Sequence, residues 1–116
     1  MNVEQLRNYC LSKANVTEGF PFDSAVLVFK IGGKIFALSN LEKLPSSINL
    51  KCSPEKSLDL QESYAQIVPG FHMNKKHWIT VEYKELKNSF VCSLIDESYD
   101  LVTKSLTKRL RNDLNL

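Results

Sequence analysis

The stretch AVLVFKIGGKIFALS, residues 25–39, decides the fold. Two runs rich in β-branched and aromatic residues flank Gly32-Gly33, and a Gly-Gly pair tolerates the positive φ angles of a two-residue hairpin turn. Such a turn sets the pairing: Ile31 faces Lys34, Phe29 faces Phe36 and Leu27 faces Leu38. Leu27, Phe29, Phe36 and Leu38 then form one strongly apolar face. Val26, Val28, Lys30, Ile35 and Ala37 form a milder, charged face suited to the outer surface. The hairpin predicts a sheet with one face buried.

Toward the amino terminus, residues 3–14 place Val3, Leu6, Tyr9 or Cys10, and Lys13 or Ala14 at helical spacing, an amphipathic helix. EGFPFD, residues 18–23, breaks it, because Pro21 restricts Phe20 to extended geometry. Toward the carboxyl terminus, SINLKC (47–52) reads as a strand with Ile48, Leu50 and Cys52 on one side and Asn49 and Lys51 on the other. Ser53-Pro54 opens a helix, serine as the N-cap and proline in the first turn. Leu58, Gln61 or Glu62, and Ala65 carry that helix toward Ile67, and Pro69-Gly70 ends the region.

HWITVEY (77–83) alternates as a strand, with Ile79, Val81 and Tyr83 inward and Trp78, Thr80 and Glu82 outward. After a polar turn through Glu85 and Lys87, Asn88 or Ser89 caps the longest helical pattern, Phe90, Val91, Leu94, Ile95, Tyr99, Leu101, Val102 and Leu106. Its basic end, TKRLRNDLNL (107–116), suits a helix carboxyl terminus. The order is helix, a run of strands, helix, strand, helix. It predicts a single α+β domain, an antiparallel β-sheet with helices packed on one face.

At 116 residues the chain fits one domain with a core that needs no staples. A net charge of +2 rules out a polybasic molecule, so any electrostatic grip must come from local clustering. The amino-terminal MNVEQLRNYCLSKA interrupts its apolar residues with Glu4, Arg7 and Asn8, and no stretch nears the roughly 20 apolar residues of a membrane span. These features predict a cytosolic protein without a membrane partner. Cys10, Cys52 and Cys92 are odd in number and form no Cys-x-x-Cys, which suits small buried hydrophobes in a reducing compartment.

PGFHMNKKHWITV, residues 69–81, holds both histidines, the only tryptophan and two adjacent lysines. His72 and His77 are five apart around Lys75 and Lys76, which is no zinc motif, and the lysines would repel a divalent cation. Phosphate-loop, Gly-x-Ser-x-Gly and paired-carboxylate patterns are absent. His72, Asn74 and Lys76 match no nucleophile, base and orienter, and side chains like His72 and Asn74 commonly bond backbone at a tight strand entry. Lys75 and Lys76 beside Trp78 suit phosphate contact plus stacking, with Trp78 sharing the outer face with Lys30 and Lys51. The hairpin tip between Lys30 and Lys34 would serve as a groove-entering wing. The competing reading leaves these lysines solvated and puts Trp78 in the core.

The chain resembles the MmcQ/YjbR family of small bacterial proteins over almost its whole length. FPFD, VFKIGGKIFAL, NLKCSPEKSLDLQESY, IVPGFHMNKKHWITV and SYDLVTKSLTKRLR carry the resemblance. The matching positions are Lys51, Tyr64, Gly70, His72, Met73, Asn74, Lys76, His77, Trp78, Ser98 and Tyr99. Asp23 stands where the family usually has glycine, and Thr107 where it often has proline. The resemblance implies a CyaY-like α+β fold and a proposed double-wing mode of DNA binding, with no established activity. The fold is also similar to frataxin, which suggests iron on an acidic first helix; Glu4 alone among the first fifteen residues disfavours that.

The expected function is therefore DNA binding by a non-enzymatic, monomeric domain with no cofactor or metal. Lys34, Lys51, Lys75 and Lys76 would contact phosphate, His77 or Trp78 would stack or wedge, and Lys104, Lys108, Arg109 and Arg111 would add backbone contacts. No recognition helix rich in Arg, Asn and Gln predicts base-specific readout. The alternative is a protein-interaction or small-anion-binding module using residues 70–78. An enzyme would require a pocket where His72 or His77 meets Asn74 and Tyr99.

Overall fold

The structure is a computed structural model that describes residues 1–116. In chain order it contains α1 (Val3–Ser12), β1 (Val16–Gly19), β2 (Val26–Ile31), β3 (Lys34–Asn40), β4 (Ser47–Lys51), α2 (Pro54–Ser63), β5 (Ile67–Pro69), β6 (Trp78–Glu82), α3 (Asn88–Ser105) and α4 (Lys108–Asp113). The strands form one sheet in the order β1-β2-β3-β4-β6-β5, and every neighbouring pair is antiparallel. This is the α+β architecture expected from the order of elements.

Local chemistry accounts for the helix starts. Asn2 accepts from the Gln5 N–H at 2.8 Å while the Gln5 side chain accepts from the Asn2 N–H at 2.9 Å, a reciprocal capping box for α1. Ser53 caps α2 with Pro54 in its first turn, as the sequence predicts. Thr107 caps α4 by accepting from Leu110 N–H at 3.1 Å. At α3 the expected Asn88 or Ser89 cap is replaced by Lys87, with no side-chain cap bond.

Leu27, Phe29, Ile31, Ile48, Leu50, Ile79, Val81 and Tyr83 share one sheet face with Leu6 and Cys10 of α1, Leu60 of α2 and Val91, Leu94, Ile95 and Val102 of α3 in one buried cluster. The opposite face carries no helix. The Gly32-Gly33 turn has φ of +59° and +81°, and Ile31 pairs with Lys34 as expected. Lys30 still pairs with Ile35, and beyond that pair the register changes: Phe29 pairs with Ala37 rather than Phe36, and Val28 rather than Leu27 pairs with Leu38. A bulge inserts one extra residue in β3, so Phe36 and Ala37 both reach the core and Leu38 turns to the open face. The predicted assignment of Leu38 to the core and Ala37 to the surface is thereby reversed.

Three elements go beyond the predicted order. β1 is a four-residue edge strand where only a break was expected, β5 is a three-residue strand in place of the extension of α2 to Ile67, and α4 is separate from α3. The face of α2 also differs: Ser57 and Leu60 are buried while Leu58 is exposed. β3 and β4 pair only through Ala37–Leu50 and Leu38–Asn49. Just beyond that pairing, the buried Ser98 hydroxyl of α3 donates to the Phe36 carbonyl at 2.5 Å and accepts from the Lys51 N–H at 2.8 Å. Ser98 closes a gap in the ladder, which is a structural role for a family position.

Candidate functional site

The predicted segment 70–78 forms the β5–β6 hairpin loop, and its front half lies over the open face of the sheet. Gly70 N–H donates to the Trp78 carbonyl at 2.9 Å, extending the hairpin. A Cβ at residue 70 would stand 2.7 Å from Trp78 Cβ and 2.8 Å from its carbonyl oxygen, so only glycine fits. Asn74 shapes the far half of the loop: its side chain accepts from Lys76 N–H at 2.9 Å and its carbonyl from His77 N–H at 3.2 Å. That is the backbone role the sequence suggested.

Two polar residues of the open face hold the front half down. Asn49 Nδ2 donates to the Phe71 carbonyl at 2.9 Å, Phe71 N–H donates to Thr80 Oγ1 at 2.9 Å, and Thr80 Oγ1 donates to Asn49 Oδ1 at 2.7 Å. Both side chains are buried, so the loop that covers them is what satisfies them. His72 then takes a left-handed φ of +59°, unusual for a side chain with a Cβ. Its exposed ring meets Phe71 edge to face, with centroids 4.3 Å apart.

Beside this loop is a cleft of about 290 Å³. Its floor is Val26 of β2, Leu38 and Asn40 of β3 and Ser47 and Asn49 of β4. Phe22 comes from the segment entering β2, and Phe71, His72 and Met73 from the pinned loop. Lys43 of the β3–β4 loop completes the rim, its ammonium 4.2 Å from the Phe71 ring centroid. Asp23, next to Phe22, accepts from the Ala25 and Val26 N–H groups at 2.8 and 2.9 Å, and these bonds hold its carboxyl below the ordinary range. Asp23 thus braces the turn into the cleft floor.

Lys51 and Trp78 pair directly across β4 and β6, both half-buried, and alternation puts them on the open face opposite Ile79 and Leu50. Lys30 stands on the same face of β2. Lys76 and His77 are exposed, and exposed Lys75 reaches back to the Gly70 carbonyl at 3.3 Å. The ion pairs of the protein are Arg7–Glu18, Lys13–Asp96 and Lys56–Glu97, so Lys30, Lys43, Lys51, Lys75 and Lys76 have no carboxylate partner.

Lys34 sits at the hairpin tip, at the same end of the sheet as the 70–77 loop. Its ammonium bonds the Ser105 carbonyl and hydroxyl at the end of α3, at 3.3 and 3.4 Å. A Cβ at Gly32 would stand 2.8 Å from Leu106, so the tip rests on the chain between α3 and α4. The turn is therefore packed against protein and does not project as a free wing. The grouping of Tyr99 with His72 and Asn74 is also corrected. Tyr99 is buried on the helix side, edge-on to Phe36 at 5.4 Å, and its hydroxyl donates to the Ala14 carbonyl at 2.7 Å. The core lies between it and the cleft.

None of the cysteines is set up as a nucleophile: burial pushes the Cys10 thiol up to about 12 and raises Cys52 and Cys92 as well. The structure gathers no group of three His, Cys, Asp or Glu side chains able to hold a metal ion. Phe22, Lys43 and Ser47 escaped the sequence reading. They are remote from residues 69–81 in the chain, and the only prior signal was a phenylalanine on each side of Pro21.

A six-stranded antiparallel sheet with helices on one face and loop-pinned aromatics on the other defines a small α+β domain with one open face. The chain belongs to the YjbR family, whose model matches residues 11–101. It is 48% identical over 91 residues to the uncharacterized protein YbdF of Escherichia coli O157:H7, covering 78% of this chain and 75% of that one. It is 28% identical to the uncharacterized protein YjbR of Escherichia coli strain K12 over 112 residues, 96% of this chain and 95% of the relative. The crystal structure of Deinococcus radiodurans protein DR2400, a DUF419 domain, superposes with a TM-score of 0.91 at 38% identity over 99% of this chain and 88% of that chain. A Pseudomonas syringae protein gives a TM-score of 0.75 at 31% identity, covering 87% and 98%. No helix is long and apolar enough to cross a membrane.

Proposed function

We propose that this domain binds nucleic acid through the open face of its sheet, as a non-enzymatic monomer acting in the cytoplasm. The observation that carries the reading is the set of lysines without carboxylate partners, Lys30, Lys43, Lys51, Lys75 and Lys76, beside the exposed or half-exposed rings of Phe22, Phe71, His72, His77 and Trp78. Ammonium groups displace counterions from phosphates, and aromatic planes accept unstacked bases whatever their sequence. Among the helices, α2 carries Glu55, Asp59 and Glu62 against Lys56 and α3 carries Asp96, Glu97 and Asp100 against Lys104, whereas the short α4 carries Lys108, Arg109 and Arg111 against Asp113.

This reading departs from the double-wing arrangement implied by the family resemblance, since the Gly32-Gly33 turn leans on Leu106. The β5–β6 loop and the sheet face take its place. The test is a titration of labelled DNA at several salt concentrations with the wild type and with Lys75→Glu/Lys76→Glu. Four to six phosphate contacts give a log–log salt slope of about −3 to −5, and the double variant loses roughly two contacts from that slope. Affinity that ignores salt, or survives both substitutions unchanged, overturns the reading.

A further inference from the structure

The geometry points to the cleft between Phe22 and Phe71 as a seat for one nucleotide unit, its base between the aromatic walls and its phosphate at Lys43; this rests on the nucleic-acid reading and assigns a ligand to that face. Four observations converge on this occupant.

The walls are aromatic and largely open to solvent, with Lys43 and His72 the neighbours of the Phe71 ring. Phe22 is 66% exposed and Phe71 49% exposed, although both line a cleft that would cover them if filled. Exposed phenylalanines from two separate loops, above a floor of Val26 and Leu38, favour a flat apolar body. The size is that of one unit: about 290 Å³ lies at the lower edge of the roughly 300–1,000 Å³ of small-molecule sites. A dinucleotide cofactor would not be enclosed.

The floor has unspent polar groups. Asn49 is committed to Phe71 and Thr80, but the Ser47 hydroxyl makes no hydrogen bond although the residue is only 5% exposed. Asn40 accepts from Glu42 N–H through Oδ1 and leaves its amide N–H groups free. A purely apolar ring would strand Ser47, whereas the polar edge of a base offers it a partner. The charge is one-sided too. None of the ten lining residues is acidic, and Lys43 and His72 are the two that carry or can take positive charge. A neutral aromatic side chain from a protein partner would leave Lys43 without an anion; a nucleotide supplies one beside its ring.

Occupancy by a base requires it to be unstacked, so the domain takes single strands in preference to duplex. The loop is braced for this before any ligand arrives, through Asn49 and Thr80 below Phe71 and the Asp23 turn beside Phe22.

The test compares thymidine monophosphate, a single strand of about eight nucleotides and its duplex, with inorganic phosphate as a control. The proteins are wild type, Phe71→Ala, Phe22→Ala and Lys43→Gln, each checked for folding by thermal melting. The expected result is tighter binding of the single strand than of the duplex. Phe71→Ala and Phe22→Ala each weaken the single strand by about 5- to 150-fold, the range of one lost base stack, and leave the duplex within about twofold. Because Phe22 sits outside the pinned loop, its variant decides the matter if Phe71→Ala fails to fold. Binding of both strands that depends on Lys75 and Lys76 but ignores Phe22 and Phe71 overturns the cleft assignment and leaves the nucleic-acid reading standing. Binding of the monophosphate alone, lost in the phenylalanine variants, upholds the cleft and overturns the nucleic-acid reading. No binding of any nucleotide or strand overturns both.

Discussion

Replacing Ser98 by alanine would leave the Phe36 carbonyl and the Lys51 N–H facing each other across a buried gap with nothing between them. The loss of that bridge costs about 1–3 kcal/mol, read as a lower denaturation midpoint with an unchanged slope, and nucleic-acid affinity of the folded fraction stays as it was. Gly70→Ala acts differently, because its Cβ would overlap Trp78 Cβ at 2.7 Å and force β5 and β6 apart. Melting temperature and single-strand affinity fall together in that variant. The residue scale is also where a sequence signature misleads. Ser98 and Tyr99 carry the family resemblance alongside His72 and Trp78, yet both serve packing on the helix side. A string of matched letters records that a side chain is needed, and only its neighbours reveal for what. Asn74 and Gly70 were legible as loop formers because their chemistry acts on adjacent backbone, whereas the backbone bond expected of the His72 side chain is replaced by its ring contact with Phe71. Ser47 and Lys43 were not, because their significance arises from partners far along the chain.

Among the elements, α1 and α3 are joined by a polar clasp in which Tyr9 donates to Asp96 at 2.6 Å and Lys13 pairs with the same carboxylate. Burial disfavours the Asp96 anion, but the bonds from Lys13 and Tyr9 outweigh it and hold the carboxyl below its ordinary value of 3.8. A depressed carboxyl binds fewer protons folded than unfolded, so its stabilisation is complete above 3.8 and disappears as pH falls through the folded value. Urea midpoints at about pH 7 and about pH 3 therefore differ more for the wild type than for Asp96→Asn; equal differences contradict the clasp. Lys34→Gln is the matching test at the hairpin: it lowers the melting temperature by freeing the end of α3 and changes affinity less than Lys75→Glu/Lys76→Glu does. The hairpin, β4 and the helix start at Ser53-Pro54 were readable because turn chemistry and period-two alternation act within a few residues. The bulge was not, since one extra residue in β3 leaves no local mark, and it is what moves Leu38 into the cleft. β1 and β5 are too short to show a period and exist because β2 and β6 offer them a pairing edge.

For the whole molecule, the sheet divides a helix-covered side from an open side where lysines lack partners and two loops present phenylalanines. Composition alone reads as an ordinary domain of charge +2, and the asymmetry appears only once the strands are paired. The proposed nucleic-acid contact engages this open face. The most direct measurement is the amide ¹⁵N–¹H spectrum of labelled protein titrated with an unlabelled single strand of about eight nucleotides. The expected shifts concentrate at Lys30, Leu38, Lys43, Ser47, Lys51 and residues 70–78, with α2 and the middle of α3 undisturbed. Shifts centred on the helices, or none at strand concentrations well above those of the protein, would contradict this contact.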